Sequence, residues 1–251
     1  MMKRRDRRQE ILDLLAQGEP LGIHMLADTL TVSDETVRRE LRLLEADGLV
    51  ERIHGGARLA KSVEEGPFEA RLHRNAGAKQ RIAAAVAQTV ADGDSLYLDA
   101  SSTAFHVAQA LKGKRDLTIV TNALGVAAEL GGRYGNRLYL AGGELDERYR
   151  AFFDATARAY LAQFRPAMAI VSTESVDVAA GFTDYHIGEG EVCRQMIAQS
   201  RRVTMAVDAS KFDRASVVAV ASFAEVDRIV SDREMDDAYA GVSAGVEWIV
   251  A

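Results

Sequence analysis

The chain has 251 residues, 48% of them hydrophobic, with a net charge of −6 and one cysteine. That length and apolar content suit one large or two ordinary globular domains and exclude a disordered chain or a fibre. No apolar run approaches the roughly eighteen residues of a membrane span, the charged start MMKRRDRRQEIL carries no secretory apolar stretch, and Cys193 has no partner for a disulfide or a zinc cluster. A cytoplasmic protein with no cofactor and no metal is expected. The acidic balance argues against indiscriminate nucleic-acid binding.

From the N-terminus, Ile11, Leu14 and Leu15 form one helical apolar stripe. Ile23, Leu26, Ala27 and Leu30 form a second, ahead of a short Thr31–Val32 turn. Ser33 is a good N-cap, Asp34 and Glu35 suit the first turn of a helix, and Gly48 supplies a stop, so a third helix of about fifteen residues is predicted. At about 100° per residue its Val37, Leu41 and Leu44 share one sector while Arg38, Arg39 and Arg42 fan across the other. An arginine face opposite an apolar stripe is, by itself, most often solvated surface. Three short helices in this order match a helix-turn-helix, however, and arginine pairs bidentately with phosphate and with guanine. Leu49–Ile53 alternates like a strand, His54-Gly55-Gly56 can turn, and Ala57-Arg58-Leu59 can return as a wing. Residues 1–58 hold ten Lys plus Arg against eleven Asp plus Glu. The case for DNA therefore rests on placement: Lys3, Arg4, Arg5, Arg7 and Arg8 at the start, the helix arginines, and Arg52 and Arg58 on the wing.

Residues 60–78 contain Gly66-Pro67 and lose periodicity, which makes them the expected linker between a domain at 1–59 and a second at 79–251. A helix is predicted from Lys79 through Ala91. Apolar strands then alternate with helices: strands at Ser95–Asp99, Leu117–Thr121, Arg137–Ala141, Met168–Ser172, Arg202–Asp208 and Arg228–Ser231, and helices at Ser102–Leu111, Leu124–Leu130, Ala155–Phe164 and Glu189–Ser200. This is the pattern of an α/β domain with a mostly parallel sheet. Ligands bind such sheets at the strand C-terminal ends. There Asp99, Ser101, Ser102 and Thr103 can cradle a phosphate and a sugar hydroxyl. Thr121, Asn122, Gly142, Gly143, Asp208 and Lys211 add polar groups, close backbone approach and a cation. Each turn alone reads as an ordinary strand-to-helix connection; their recurrence at successive strand ends points to a binding site.

The run TVRRELRLLEADGLVERIHGGARL resembles the DeoR family of bacterial transcription regulators. The segments GDSLYLDASST, LTIVTNAL, LYLAGGEL, VDASKF and VDRIVSD extend the resemblance over nearly the whole chain. The resemblance implies a winged helix-turn-helix that holds double-stranded operator DNA through Ser33, Thr36, Arg38, Arg39, Arg42, Arg52, His54, Gly55, Gly56 and Arg58. It also implies a sensor domain similar in fold to ribose phosphate isomerases, assembly as a homodimer or homotetramer, and repression of carbohydrate or polyol genes relieved by a sugar-derived effector. The chain departs from the family pattern at Ser101, Ala104, Asp154, Ser172, Glu174, Ser175 and Cys193, the last replacing a common lysine. Two added carboxylates and a lost cation leave the effector open between a sugar phosphate and a free sugar or polyol, with Glu174, Arg194 and Lys211 as further contacts. The competing reading is a sugar phosphate isomerase or deaminase carrying a DNA-binding domain, with Asp99, Glu174, Glu191 and Asp208 as the carboxylates available for a general base.

Overall fold

The computed structural model describes residues 4–15, 20–46, 50–53, 55–59 and 66–251. The chain divides into two compact units, Met1–Ala76 and Gly77–Ala251.

In the first unit, helix α1 (Arg4–Leu15) precedes a short strand β1 (Leu21–Gly22), helix α2 (Ile23–Leu30) and helix α3 (Asp34–Ala46). Strands β2 (Val50–Ile53) and β3 (Gly56–Leu59) follow as an antiparallel hairpin, and β1 pairs with the outer side of β3. Thr31 ends α2 in the left-handed region at φ 54°, and the Val32 N–H reaches back to the Ala27 carbonyl, which turns the chain sharply into α3. Ser33 caps α3 by accepting from the Thr36 N–H at 3.3 Å. The three apolar stripes meet as expected: Ile11, Leu15, Leu26, Leu30, Val37, Leu41 and Leu44 form one core with Val50 and Ala57. A carboxylate lies inside this layer. Glu40 is buried and accepts from Arg8 Nε at 2.9 Å, with Arg7 at 3.8 Å. Two of the N-terminal arginines expected at DNA thus neutralise a buried acid on α3.

Gly55 and Gly56 have different duties. Gly55 takes the turn at φ +80°, whereas a Cβ on Gly56 would stand 2.2 Å from the Leu21 carbonyl oxygen. Only a glycine lets β1 lie against the wing.

The expected 60–78 linker needs correction where it is described. Residues 60–65 lie outside the described residues, but Phe68–His73 is a helix, α4, whose Ala70 packs into the first unit's core. Helix α5 spans Ala76–Gln88, starting earlier and stopping sooner than the predicted Lys79–Ala91.

The second unit alternates as predicted. Its elements run β4 (Ser95–Leu98), α6 (Ser102–Ala110), β5 (Thr118–Thr121), α7 (Leu124–Leu130), β6 (Arg137–Leu140), a small hairpin β7 (Leu145–Asp146) and β8 (Ala151–Phe152), α8 (Ala155–Leu161), β9 (Met168–Val171), β10 (Ser175–Asp177), β11 (Gly181–Asp184), α9 (Ile187–Ala198), β12 (Arg202–Ala206), β13 (Val218–Ala221), β14 (Arg228–Ser231), α10 (Asp237–Ala240) and β15 (Glu247–Val250). Seven strands make one parallel sheet in the order β15-β14-β12-β9-β4-β5-β6. Near-continuous apolar strands such as Met168–Val171 are buried on both faces, as a parallel sheet covered by helices requires. The sequence reading missed a second, antiparallel sheet, β10-β11-β13. From β4 the chain steps to β5 and β6 on one side, while from β9 it steps to β12, β14 and β15 on the other. The order therefore reverses between β4 and β9, the switch point beyond whose strand C-terminal ends ligands bind in open α/β sheets.

Gly56→Ala is expected to destabilise the first unit by about 1–3 kcal/mol through overpacking against β1 and to weaken operator binding with it. A thermal melt that matches the parent protein would contradict the close approach.

Candidate DNA-binding face and sensor site

Helix α3 sorts its side chains as the periodicity demanded. Val37, Leu41 and Leu44 are buried, and Arg38, Arg39 and Arg42 are exposed on the opposite face. The arginines are held loosely by neighbours: Arg38 lies 3.8 Å from both Asp34 and Glu35, and Arg42 donates to Glu35 at 3.1 Å. On the wing, Arg58 pairs with Glu51 at 2.8 Å. Exposed pairs of this kind contribute about 0.2–1 kcal/mol each, so a phosphate can replace the carboxylate at small cost. Ser33 and Thr36 hydrogen-bond each other at the start of α3, and Arg52 lies on β2. His54 falls outside the described residues.

In the second unit, Asp99 links the C-terminal ends of β4 and β9. Its Oδ1 accepts from the Ser101 N–H at 3.1 Å and the Ser101 hydroxyl at 2.7 Å, and its Oδ2 accepts from the Ser172 N–H at 2.8 Å. The Cys193 thiol, on α9, faces the same oxygen at 3.7 Å. Burial pushes the Asp99 carboxyl up, and these neutral donors offset part of that effect. The Ser101 hydroxyl also accepts from the Ala104 N–H at 2.9 Å and so caps α6. Ser101 is therefore a structural cap, and the Ser101 and Cys193 side chains meet one buried carboxyl together with the Ser172 backbone N–H.

The rest of the row follows the sheet order. At the β5 end Thr121 and Asn122 are fully buried; Asn122 Nδ2 donates to the Phe152 carbonyl at 3.0 Å, while its buried Oδ1 has no partner among the described residues. At the β6 end a Cβ on Gly143, φ +140°, would stand 2.3 Å from Asp154 Oδ1. Asp154 caps α8 through the Ala157 N–H at 2.9 Å and holds the Glu144 N–H at 3.1 Å, bonds that lower its pKa. It is one of the two carboxylates expected to add charge at the site, and its work is to fix a loop. At the β12 end, burial raises Asp208, but Lys211, Lys79 and the Ser210 donors outweigh it and leave the carboxyl below its ordinary range. Lys211 forms an ion pair with Glu174, which follows β9.

Lys79 was not among the expected contacts. It is buried on α5, and its ammonium donates to the Ser102 hydroxyl at 2.9 Å at the start of α6. A signal was present: Lys79 stands at helical spacing with buried Ile82, Ala83 and Val86, on an apolar face where a lysine is rare. Arg194, by contrast, is not brought to the strand ends. It donates to the Ala219 carbonyl of the small sheet and lines a separate depression with Val220 and Phe223. Among the described residues no group of three or more His, Cys, Asp or Glu could hold a metal, and no helix is long and apolar enough to cross a membrane.

Burial, then the charges of Asp99, Glu189 and Asp184, push the Cys193 thiol well up. As the chain's one cysteine, Cys193 should stay unreactive toward a thiol reagent at pH 8 in the native protein and titrate as one thiol after denaturation. Rapid native-state labelling would contradict its packing against Asp99.

Comparison with known proteins assigns both units. The DeoR-like helix-turn-helix domain matches residues 7–63, and the DeoR C terminal sensor domain matches residues 74–233. The transcriptional repressor AccR of Agrobacterium fabrum is 35% identical over 90% of this chain and 89% of its own length. The glycerol-3-phosphate regulon repressor of Escherichia coli is 33% identical over 92% of both. Among solved structures, ribose 5-phosphate isomerase from Plasmodium falciparum gives a TM-score of 0.39 at 15% identity, covering 53% of this chain and 52% of that one. These two relatives, matched along about nine-tenths of their length, are named repressors, so the isomerase or deaminase reading gives way, and the chain belongs to the DeoR family of DNA-binding transcription regulators.

Proposed function

We propose that Ser33, Thr36, Arg38, Arg39, Arg42, Arg52, His54, Gly55, Gly56 and Arg58 form the operator-contacting surface, with α3 in the major groove and the β2–β3 hairpin along the phosphate backbone. The observation that carries this reading is the exposed arginine face of α3 opposite its buried apolar stripe. The protein works as a homodimer or homotetramer that presents paired helices to half-sites about one turn of DNA apart. The regulated genes serve carbohydrate or polyol metabolism, in keeping with a relative named for a glycerol-3-phosphate regulon.

The sensor site is the row of strand ends around the β4/β9 reversal: Asp99, Ser102, Thr103, Thr121, Asn122, Gly142, Glu174, Asp208 and Lys211, together with Lys79. Buried carboxylates, hydroxyls, an amide oxygen and two lysines along one crevice suit a small polyhydroxylated ligand such as a sugar, a polyol or their phosphates. Such a ligand releases operator DNA to the extent that it favours the DNA-incompetent arrangement over the competent one.

Replacing either Arg38 or Arg39 with Ala should cost about 1–3 kcal/mol of operator affinity and reduce the log–log salt slope by about one where the lost contact is to phosphate. Fluorescence anisotropy across a salt series reads both, and unchanged affinity would remove α3 from the groove. Lys79→Met and Lys211→Ala should each keep operator binding while weakening ligand-induced release by about tenfold or more, the scale of a lost hydrogen bond to a charged group. A normal release curve would take that lysine out of the site.

A further inference from the structure

The cations at the β12 end of the strand-end row are already neutralised from within. Glu174, 6% exposed, is ion-paired with Lys211 and lies 3.9 Å from the Arg214 guanidinium. Lysine and arginine at a strand end would otherwise attract a phosphate or carboxylate. With Glu174 between them, an arriving anion meets a carboxylate beside the same cations and must either displace it or accept repulsion from it in a partly buried setting. Asp208, the second carboxylate of this corner, is held ionised by Lys211 and Lys79. Two carboxylates, Glu174 and Asp208, present acceptor oxygens there, and hydroxyl groups are the ligand groups that donate to such oxygens.

We propose that Glu174 determines ligand specificity at this end of the sensor site: by neutralising Lys211 and Arg214 it selects a ligand whose end here is uncharged and hydroxylated, and turns away one that ends in phosphate or carboxylate. The proposal rests on reading the strand ends as the effector site. A charged group elsewhere on the ligand is left to the start of α6, where Lys79 reaches Ser102.

The test is titration of the full-length protein with inorganic phosphate by isothermal calorimetry, comparing the parent with Glu174→Gln, which keeps the shape and removes the charge. Glu174→Gln is expected to bind phosphate at least tenfold more tightly than the parent, and Glu174→Gln combined with Lys211→Met to lose that gain. Glu174→Asp, which keeps the charge, is expected to show no gain. Equal phosphate affinity in the parent and in a folded Glu174→Gln protein, as judged by circular dichroism, overturns the proposal, and so does an equal gain in Glu174→Asp. Glu174→Ser serves as a second uncharged variant under the same criteria should Glu174→Gln not fold. The phosphate titration reports on this corner whatever the natural effector is, whereas normal ligand-induced release in Lys79→Met and Lys211→Ala counts against the effector reading itself.

Discussion

The sensor unit is organised around a buried carboxyl group shared between two strands. Asp99 ends β4, and its carboxylate takes the Ser172 N–H that follows β9, fastening the sheet where its strand order reverses. A parallel sheet that winds both ways from its middle must part its connections there, which exposes backbone donors that need an acceptor. Asp99 supplies it on one oxygen and with the other holds Ser101, which caps α6. The cost is a carboxylate raised by burial, and the Cys193 thiol beside it contributes a weak donor where a lysine would contribute a full charge. The β4/β9 strand ends are thus tied by hydrogen bonds from neutral donors, while Lys79 meets Ser102 and Lys211 meets Glu174.

The DNA-binding unit shows the same economy of charge. In a chain with net charge −6, the proposed DNA face depends on where its arginines lie. Arg7 and Arg8 turn inward to Glu40, while Arg38, Arg39 and Arg42 stay outside, with Asp34 and Glu35 near enough to pair with two of them. Exposed pairs of this kind contribute little to stability and are easily exchanged.

Much of this was legible in the sequence because its signals are local. Caps, apolar spacing and turn residues located α3 and the wing, and the bounds predicted for Leu124–Leu130 and Arg228–Ser231 agree with the structure to the residue. The small antiparallel sheet was not legible. Ser175–Asp177 and Gly181–Asp184 are short and rich in small or polar residues, and their pairing with Val218–Ala221 is a contact between distant segments. Side-chain duty was harder still. Asp154 looked like added charge at the site and Arg194 like a ligand contact, yet one caps a helix and the other holds a carbonyl of the small sheet. Lys79 sat in plain view on an apolar face, and only the fold shows that α5 carries it to the start of α6.

The central claim is that ligand at the strand ends and DNA at α3 oppose each other through one protein. The direct measurement is operator affinity by fluorescence anisotropy, with and without the compound that most raises thermal stability in a panel of sugars, polyols and their phosphates. The account predicts that saturating compound weakens operator binding about tenfold or more, and that operator DNA weakens binding of the compound by the same factor. An operator affinity unchanged by saturating compound would contradict it.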